Sequence, residues 1–393
     1  MRASIETCVA TPSSSRARGA PLVANPCRRR RSAKTLPRAK PRDDDVPWGP
    51  HAPPLEPHAR RIPLFTYHEA RRCLDARERG ETDLELSLDF HLTPRRRARA
   101  DADGVRTTTA EGHDVFASWA SLEDVADDER GVFEPEDEGD WTAGGLRKVS
   151  TFSDDTGRAV SLMPSGENTW PTALIAGFSM HRFGVGVDPE EDTRKKLGAV
   201  APIRRDARLL DICTGLAYTS CMAAVEHGAR VTTIELDRSM TEMCRMNPHS
   251  RALFEGSIQQ LYGNGADVVK TFADATFDVI ITDPPTFALA GELYSAEFYA
   301  DLKRILRPKG RIYHYIGDPK SSSGSSVAAG VVRRLKSVGL DAAIDYDAHG
   351  IVAARDRVRL NRAKSSSTAK SKPTGKKLDA RPRRRDREDE DGY

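Results

Sequence analysis

The stretch that decides the fold is "LLDICTGLAYT", residues 209–219. An apolar run of strand type ends at Asp211–Cys213, and the chain must then turn sharply into a helix. Gly215 allows that turn because glycine tolerates a positive φ angle, and its missing side chain lets a ligand approach the backbone. The free amides at the start of the next helix would face such a ligand. We therefore predict a strand, a tight turn and a helix that together form one wall of a binding site.

Strands and helices alternate along the chain from Ala207 onward, and the last two strands are joined by a turn short enough for a hairpin. This rhythm indicates a mostly parallel sheet with helices on both faces, whose ligands gather at the carboxyl ends of the strands. The predicted fold class is therefore α/β, with a seven-stranded doubly wound sheet. The predicted strands are 208–213, 230–236, 258–263, 277–283, 311–317, 341–347 and 350–356, and the predicted helices are 219–228, 238–247, 266–272, 295–306 and 327–339.

Three motif runs carry a resemblance to a known family. With "LLDICTGLAYT", "VTTIELD" (231–237) and "FDVIITDPPTF" (277–287), residues 200–357 resemble the class I S-adenosylmethionine-dependent methyltransferases, which have a Rossmann-like sheet. The runs are most similar to predicted methyltransferases of archaeal type, which carry an Asp-x-Cys-x-Gly-Leu-Gly-Tyr-Thr loop, a DPP-aromatic motif and "AGELYS". This similarity extends back to "PTALIAGFSMHR" (171–182). The resemblance implies S-adenosyl-L-methionine as the cofactor and methyl transfer as the reaction.

The resemblance also implies where that cofactor would bind. Asp211 would hold its ammonium group directly or through water, while the helix amides after Gly215 would face its carboxylate. Glu235 lies twenty positions after Gly215, the separation at which an acid reaches ribose hydroxyls, although a solvated acid at a strand end is the alternative. Asn264 would accept a hydrogen bond from the adenine amino group, unless Asn-Gly is only a turn. The other predicted cofactor contacts lie in the same segments: Cys213, Thr214, Tyr218, Thr219 and Leu236.

Two residues depart from the family pattern. Ala217 stands where members usually have a second glycine, and a methyl group is tolerable there if the φ angle stays negative. Asn264 stands where members usually have Asp, and it can accept the same hydrogen bond only more weakly and without charge. These departures leave open a catalytically silent scaffold, but the presence of Asp211, Glu235 and Asp283 argues against it.

The Asp-Pro-Pro motif ends the fourth predicted strand. Asp283 follows a buried apolar run, and Pro284 and Pro285 allow only extended backbone and offer no N–H groups. A carboxylate and a carbonyl oxygen then point outward as two fixed acceptors, which a planar amine needs when its lone pair is aimed at a methyl group. Phe287 could stack on a base or another flat group. The motif resembles the (N/D/S)PP(Y/F) signature of nitrogen-directed nucleic-acid methyltransferases, although Asp-Pro-Pro can also simply end a strand.

The predicted reaction is methyl transfer to an amino or exocyclic nitrogen, in RNA such as tRNA or rRNA. RNA is favoured by the DPP-aromatic motif, the basic tail and an appended domain. The alternative is aminopropyl transfer, because "DPP…GELYSAEFY" also resembles the polyamine aminopropyltransferases, which use decarboxylated S-adenosylmethionine. Glu292 and Tyr294 are weaker candidates for shaping the acceptor pocket, and His181, Arg182 and His314 for either a site or the core.

Both ends of the chain have unusual compositions. The first 42 residues are rich in Arg, Ser, Ala and Pro and contain one acid, Glu6, which predicts a transit peptide within a disordered segment 1–55 and import into a plastid. A mitochondrial peptide, a nuclear address at "RRRRSAK" or a disordered basic tail are the alternatives. The charged, low-complexity segment 361–393 is also predicted to be disordered. Between these ends we predict a small N-terminal α+β domain at 60–180 that serves substrate recognition, and a methyltransferase domain at 181–360.

Several classes of function are not indicated. No window approaches the roughly 18 apolar residues of a membrane span, so we expect no membrane partner. The six cysteines form no CxxC pair and no His/Cys cluster, so we predict neither a metal nor a disulfide. The formal net charge of +3 is too small to indicate nucleic-acid binding by itself.

Overall fold

The structure, a computed structural model, describes residues 61–184, 186–358 and 360. The segments predicted as a transit peptide, at 1–55, and as a charged tail, at 361–393, lie outside the described residues. No helix in the described part of the chain combines the length and the apolar composition that crossing a bilayer requires.

The described residues form eighteen β-strands and eight α-helices. The strands are β1 Phe65–Thr66, β2 Asp83–Leu86, β3 Arg96–Ala100, β4 Gly104–Thr108, β5 Asp114–Ser118, β6 Val132–Pro135, β7 Leu146–Lys148, β8 Ser150–Ser153, β9 Arg158–Met163, β10 Thr172–Ile175, β11 Phe178–Ser179, β12 Arg208–Ile212, β13 Arg230–Glu235, β14 Ile258–Tyr262, β15 Phe277–Thr282, β16 Leu306–Tyr315, β17 Asp341–Asp345 and β18 Gly350–Ala354. The helices are α1 Tyr67–Glu78, α2 Trp119–Ala126, α3 Pro189–Ala199, α4 Tyr218–His227, α5 Arg238–Met246, α6 Gly265–Val268, α7 Ala296–Ile305 and α8 Ser322–Ser337.

Three antiparallel sheets precede residue 180. They contain β2-β3-β4-β5, β1-β6-β7 and β11-β10-β9-β8, in these spatial orders. Helices α1 and α2 pack together over a core that includes Cys73, Leu86 and Leu122. The alternation at 82–92 predicts one strand, but β2 ends at Leu86. Phe90 and His91 have positive φ angles of 51° and 61°, so an extended strand could not have continued through them.

The large sheet confirms the predicted fold class. Its spatial order is β14-β13-β12-β15-β16-β18-β17. The strands from β14 to β16 pair in parallel, and β18 pairs antiparallel with both of its neighbours. Along the chain, β12, β13 and β14 extend the sheet in one direction, and β15 then pairs with β12 on its other side. A crevice therefore forms at the carboxyl ends of β12 and β15, where ligands of open α/β sheets bind.

Besides β2, four elements differ from the sequence prediction, and one of them is α6, which ends at Val268 rather than at residue 272. Helix α3 was not predicted, although Asp188 caps it, Pro189 opens it and three acids fill its first turn. Strand β16 already begins at Leu306 and runs through Pro308, because the bulge between β15 and β16 accommodates the extra residues. Helix α8 begins at Ser322, where the hydroxyl of Ser321 accepts from the Gly324 amide.

The two faces of the large sheet have separate cores. Leu210, Ile212 and Ile280 lie on the face covered by α7 and α8. On the opposite face, Leu209 and Ile281 belong to a cluster that also contains residues of α4, α5 and the β8–β10 sheet, such as Val160. The β8–β10 sheet therefore shares a core with the large sheet.

Candidate active site

Three acids lie at the same edge of the large sheet. Asp211 is the fourth residue of β12, Glu235 ends β13, and Asp283 directly follows β15. These strands are adjacent and parallel, so their carboxyl ends meet. The Asp283 amide donates to the Ile212 carbonyl over 3.1 Å, which ties the Asp-Pro-Pro loop to the glycine turn.

The glycine turn has the expected positive φ angle at Gly215 but differs from expectation at Ala217. Gly215 has a φ angle of 53°, and a Cβ added to it would lie 2.6 Å from the sulfur of Met180, so a side chain there would be strained and would displace Met180. Ala217, at the N-terminus of α4, has a φ angle of 60°. The condition of a negative φ angle is therefore not met, and the Ala217 backbone is strained. Cys213 also has a positive φ angle, of 66°.

The Glu235 carboxylate lies beside this turn and is held by the backbone. One oxygen accepts from the Gly215 amide over 2.9 Å, and the other accepts from the amides of Leu236 and Asp237, each over 2.9 Å. Burial raises the pKa of Glu235, and these amides partly oppose the rise. All of its direct partners are neutral.

Asp211 is more deeply buried, with 2% of its surface exposed. The Ser220 hydroxyl donates to its Oδ2 over 2.6 Å. Burial raises the pKa of Asp211 to about 7, the Ser220 hydrogen bond opposes that rise, and the charge of Asp283 adds to it. Within the described residues no cationic side chain forms an ion pair with Asp211 or Glu235.

The other predicted cofactor residues are placed in different ways. Leu236 is 52% exposed beside Glu235, and the Thr214 and Thr233 hydroxyls form a hydrogen bond. The Asn264 side-chain oxygen caps α6 by accepting from the Ala266 amide, and its nitrogen donates to Glu292. Thr219 is buried in the first turn of α4.

Tyr218 lies in the core rather than at the crevice. Its side chain is 2% exposed, and its hydroxyl donates to the Pro171 carbonyl over 2.6 Å. The Asn247 side chain donates to the same hydroxyl over 2.8 Å. Only the backbone of Tyr218 is placed for a ligand at the start of α4.

Asp283 and the two prolines after it form the loop that follows β15, and Pro284 is buried. The Asp283 side chain is about a quarter exposed (27%), and the Pro284 carbonyl accepts no hydrogen bond from the residues that the structure describes. The neighbouring Pro285 carbonyl accepts from the Tyr294 hydroxyl over 2.8 Å, which fixes the loop. Phe287 is 51% exposed and contacts the Tyr294 ring edge-on at 5.4 Å.

The sequence analysis missed a lysine at this site. The Lys196 ammonium, on α3, donates to Asp283 Oδ2 over 2.6 Å and pairs with Asp192 Oδ2 at 2.8 Å. Burial alone would lower the pKa of Lys196, but the two carboxylates outweigh it and hold this pKa above its ordinary value. The helix-start pattern at Asp188–Pro189 and the i, i+4 spacing of Asp192 and Lys196 were the signals that could have found it.

The remaining candidates have structural partners. His181 Nδ1 lies 3.0 Å from the Thr172 hydroxyl, and Arg182 donates to Asp192 through Nε over 2.6 Å. His314 is fully buried, and burial lowers its pKa to about 3. Next to the weaker candidates Glu292 and Tyr294, Ser295 caps α7 by accepting from the Phe298 amide.

Comparisons with known proteins point to two related activities. The family profile of the spermine/spermidine synthase domain matches residues 219–323. An uncharacterised protein of Methanocaldococcus jannaschii is 43% identical over 189 residues, which cover 48% of this chain and 65% of that protein. Polyamine aminopropyltransferase 2 of Streptomyces coelicolor is 30% identical over 95 residues, covering 22% of this chain and 17% of the relative. A tRNA1(Val) (adenine(37)-N6)-methyltransferase of Shewanella woodyi is 33% identical over 94 residues, covering 23% and 38%.

The chain spans less than two thirds of the length of each of these relatives. Among solved structures, a spermidine synthase in complex with the transition-state analogue AdoDATO matches with a TM-score of 0.42 and 18% identity, over 55% of this chain and 77% of that one. The order of the large sheet and the sequence relatives together give the chain the class I methyltransferase fold. The relatives of named activity are methyltransferases or aminopropyltransferases.

Proposed function

We propose that this chain, with its class I methyltransferase fold, is an S-adenosylmethionine-dependent methyltransferase that acts on an amino nitrogen of an RNA base. The observation that carries the proposal is the pair of acceptors after β15, the Asp283 carboxylate and the Pro284 carbonyl. The hydrogen bond from the Asp283 amide to Ile212 holds this pair next to the glycine turn. An amino group bound to both acceptors would therefore lie beside the cofactor crevice.

The residues of the crevice fit the cofactor that the fold implies. Two carboxylates without a cationic partner in the described residues, Asp211 and Glu235, suit an ammonium group and ribose hydroxyls. Gly215 has no side chain of its own, but the Met180 side chain lies against it and would have to move for a ligand to reach the backbone. The exposed Leu236 offers an apolar surface for a flat base. When bound, S-adenosylmethionine would supply an electrophilic methyl group on a sulfonium.

The acceptor residues would act by positioning and by electrostatics. Asp283 Oδ1 and the Pro284 oxygen would each accept one N–H of the amino group and so aim its lone pair. The new N–C bond would form as the methyl–sulfur bond breaks, so positive charge would pass from the sulfur to the nitrogen, and both acceptors would bind its N–H groups more strongly than those of the neutral amine. The cofactor would leave as a neutral thioether, and the methylated nitrogen would then release one proton to water. Phe287, which is half exposed, would stack on the ring that carries the amino group.

Aminopropyl transfer to a polyamine is the second candidate. The spermine/spermidine synthase profile covers residues 219–323, which include Glu235 and Asp283. Decarboxylated S-adenosylmethionine has no carboxylate for the α4 amides to bind. Isothermal titration with both cofactors therefore separates the candidates, and a protein that binds neither at millimolar concentration would be a scaffold.

The experiment that tests the proposal follows a radioactive methyl group. The purified protein is incubated with methyl-labelled S-adenosylmethionine and separate RNA, DNA, protein and small-amine fractions. We expect label in the RNA fraction, and none with the Asp283→Ala variant. Label in no fraction, together with aminopropyl transfer from the decarboxylated cofactor to a polyamine, would contradict the proposal.

Import into a plastid stays a separate prediction, to be tested by attaching residues 1–55 to a fluorescent protein.

A further inference from the structure

A buried ammonium group lies directly behind the proposed acceptor site. Lys196 is 3% exposed, and its nitrogen lies 2.6 Å from Asp283 Oδ2 and 2.8 Å from Asp192 Oδ2. The same nitrogen lies 4.9 Å from the centre of the Tyr315 ring. The proposed methyl transfer assigns no role to this lysine. A buried charge is nevertheless costly unless its partners are well placed, so its location calls for an explanation.

The charges around Lys196 balance. Asp192 is fully buried and pairs with both Lys196 and Arg182, while Asp283 pairs with Lys196. Burial would raise the pKa of Asp192, but Lys196 and Arg182 hold it below its usual range. Two cations thus face two carboxylates, and the charge of Asp283 is compensated before any substrate arrives.

We propose that Lys196 is a positioning residue that determines the charge of the acceptor substrate. It fixes Asp283 through Oδ2, leaves Oδ1 for the substrate, and compensates the carboxylate so that a neutral amino group binds and an alkylammonium ion does not. This inference rests on the proposed function, because it concerns the same acceptor site.

The physical reason is repulsion between like charges. An alkylammonium ion at Asp283 Oδ1 would lie close to an ammonium that already shares the same carboxylate. Lys196 is held in place, because Leu197 and Ala199 of α3 lie in the same core as Leu209 of the sheet and Asp192 pairs with the same nitrogen. A neutral aromatic amino group avoids this repulsion and keeps the free lone pair that methyl transfer needs. A protonated amine has no such lone pair, so excluding it also prevents unproductive binding.

The test measures the binding of a dication, 1,4-diaminobutane, to the full chain by isothermal titration at pH 7.5. The variants are Lys196→Met, Lys196→Arg, and Lys195→Met as the matched control, since Lys195 is the adjacent lysine and pairs with Glu191 instead. We expect Lys196→Met to bind the diamine at least about tenfold more tightly than the wild type. Lys196→Arg and Lys195→Met should behave like the wild type. The double variant Lys196→Met/Asp283→Asn should lose the gained binding, because its carboxylate charge is gone.

A gain of binding is not expected from structural damage, so it separates the proposed role from a purely structural one. Equal diamine affinity in the wild type and in folded Lys196→Met would overturn the inference. Tight diamine binding to the wild type would also overturn it, and this measurement needs no variant. Failure of the proposed function is a different result, namely no methyl label in RNA. RNA labelling together with tight diamine binding would reject this inference and retain the proposed function.

Discussion

The two halves of the crevice treat their acids differently. On the side of β12 and β13, Asp211 and Glu235 are held by a serine hydroxyl and by backbone amides, and burial raises the pKa of both. On the side of β15, Asp283 and the nearby Asp192 are held by ammonium and guanidinium groups. Uncompensated acids favour a cationic ligand, whereas compensated acids serve as fixed hydrogen-bond acceptors. One sheet edge thus offers two sites that differ in the ligand charge they favour.

The largest effect is expected when the β15 side of the crevice, the proposed binding place of the acceptor substrate, loses its acid. We call this side the acceptor half and the side of β12 and β13 the cofactor half. Asp283→Ala should cut turnover by about 10²-fold or more and leave S-adenosylmethionine binding within a few-fold. Methyl incorporation into RNA and isothermal titration measure the two quantities. Asp283→Asn is the matched control, because its amide oxygen can still accept, and we expect it to stay within about tenfold of the wild type. Loss of cofactor binding with intact turnover per bound complex would show that Asp283 belongs to the other half.

The cofactor half should respond in the opposite way. Glu235→Ala removes the charged acceptor of the proposed ribose hydrogen bonds, so cofactor affinity should fall by about 10- to 100-fold. Turnover of the cofactor-saturated enzyme should change much less. Glu226→Ala, which removes an exposed acid paired with Arg194, is the control. Thermal unfolding of both variants shows whether the three amides that lose their acceptor have disturbed the fold. An unchanged dissociation constant for Glu235→Ala would remove this residue from the site.

The uncompensated charge of Asp211 should be visible in stability. Its folded-state pKa of about 7 exceeds the ordinary value of 3.8, so its ionisation opposes folding increasingly as the pH rises between these values. Asp211→Asn should therefore raise the free energy of unfolding by up to about 4 kcal/mol at pH 8 and by almost nothing at pH 4, while weakening cofactor binding. Denaturant titrations at both pH values measure the free energy of unfolding. Asp267→Asn, which removes an exposed acid, is the control. Equal effects at both pH values would contradict the assigned charge.

The smallest effect concerns the backbone of the cofactor half. Cys213 and Ala217 have positive φ angles there, whereas the Asp-Pro-Pro loop contains no such residue. Ala217→Gly should stabilise the protein by about 1 kcal/mol, because glycine adopts this conformation without strain. Ala300→Gly, in the exposed interior of α7, should instead destabilise it by a similar amount. Denaturant midpoints measure both changes, and destabilisation by Ala217→Gly would show that the methyl group matters more for packing.

Local patterns in the sequence predicted much of the large sheet. Apolar runs separated by glycine turns gave the parallel strands, and the short turn before Gly350 gave the final hairpin. Helix α3 was missed because several of the residues that it buries are polar, among them Asp192, Thr193 and Lys196, so no apolar periodicity marks it in the sequence despite clear capping residues. The start of β16 was misplaced because Pro308 suggests a boundary, and only the pairing of neighbouring strands shows the bulge.

Some residues of the site could be predicted from local sequence patterns, whereas others depend on tertiary packing. The position of an acid at a strand end follows from strand alternation, so Asp211, Glu235 and Asp283 could be placed at one edge. The direction of the Tyr218 side chain and the capping role of Asn264 depend on tertiary packing. Lys196 meets Asp283 across 87 positions of sequence, a separation at which no local pattern indicates a contact.

The docking of the β8–β9 hairpin onto α5 has a practical consequence for shortened proteins. The hydroxyls of Ser153 and Thr156 donate to Asp237, and Asp155 accepts from the Arg238 amide. A chain that starts at residue 181 would lose these hydrogen bonds. It would also expose the apolar surface of the large sheet that Val160 and its neighbours now cover. Such a fragment would aggregate on expression. Recombinant work on residues 181–360 should therefore retain residues from 61 onward.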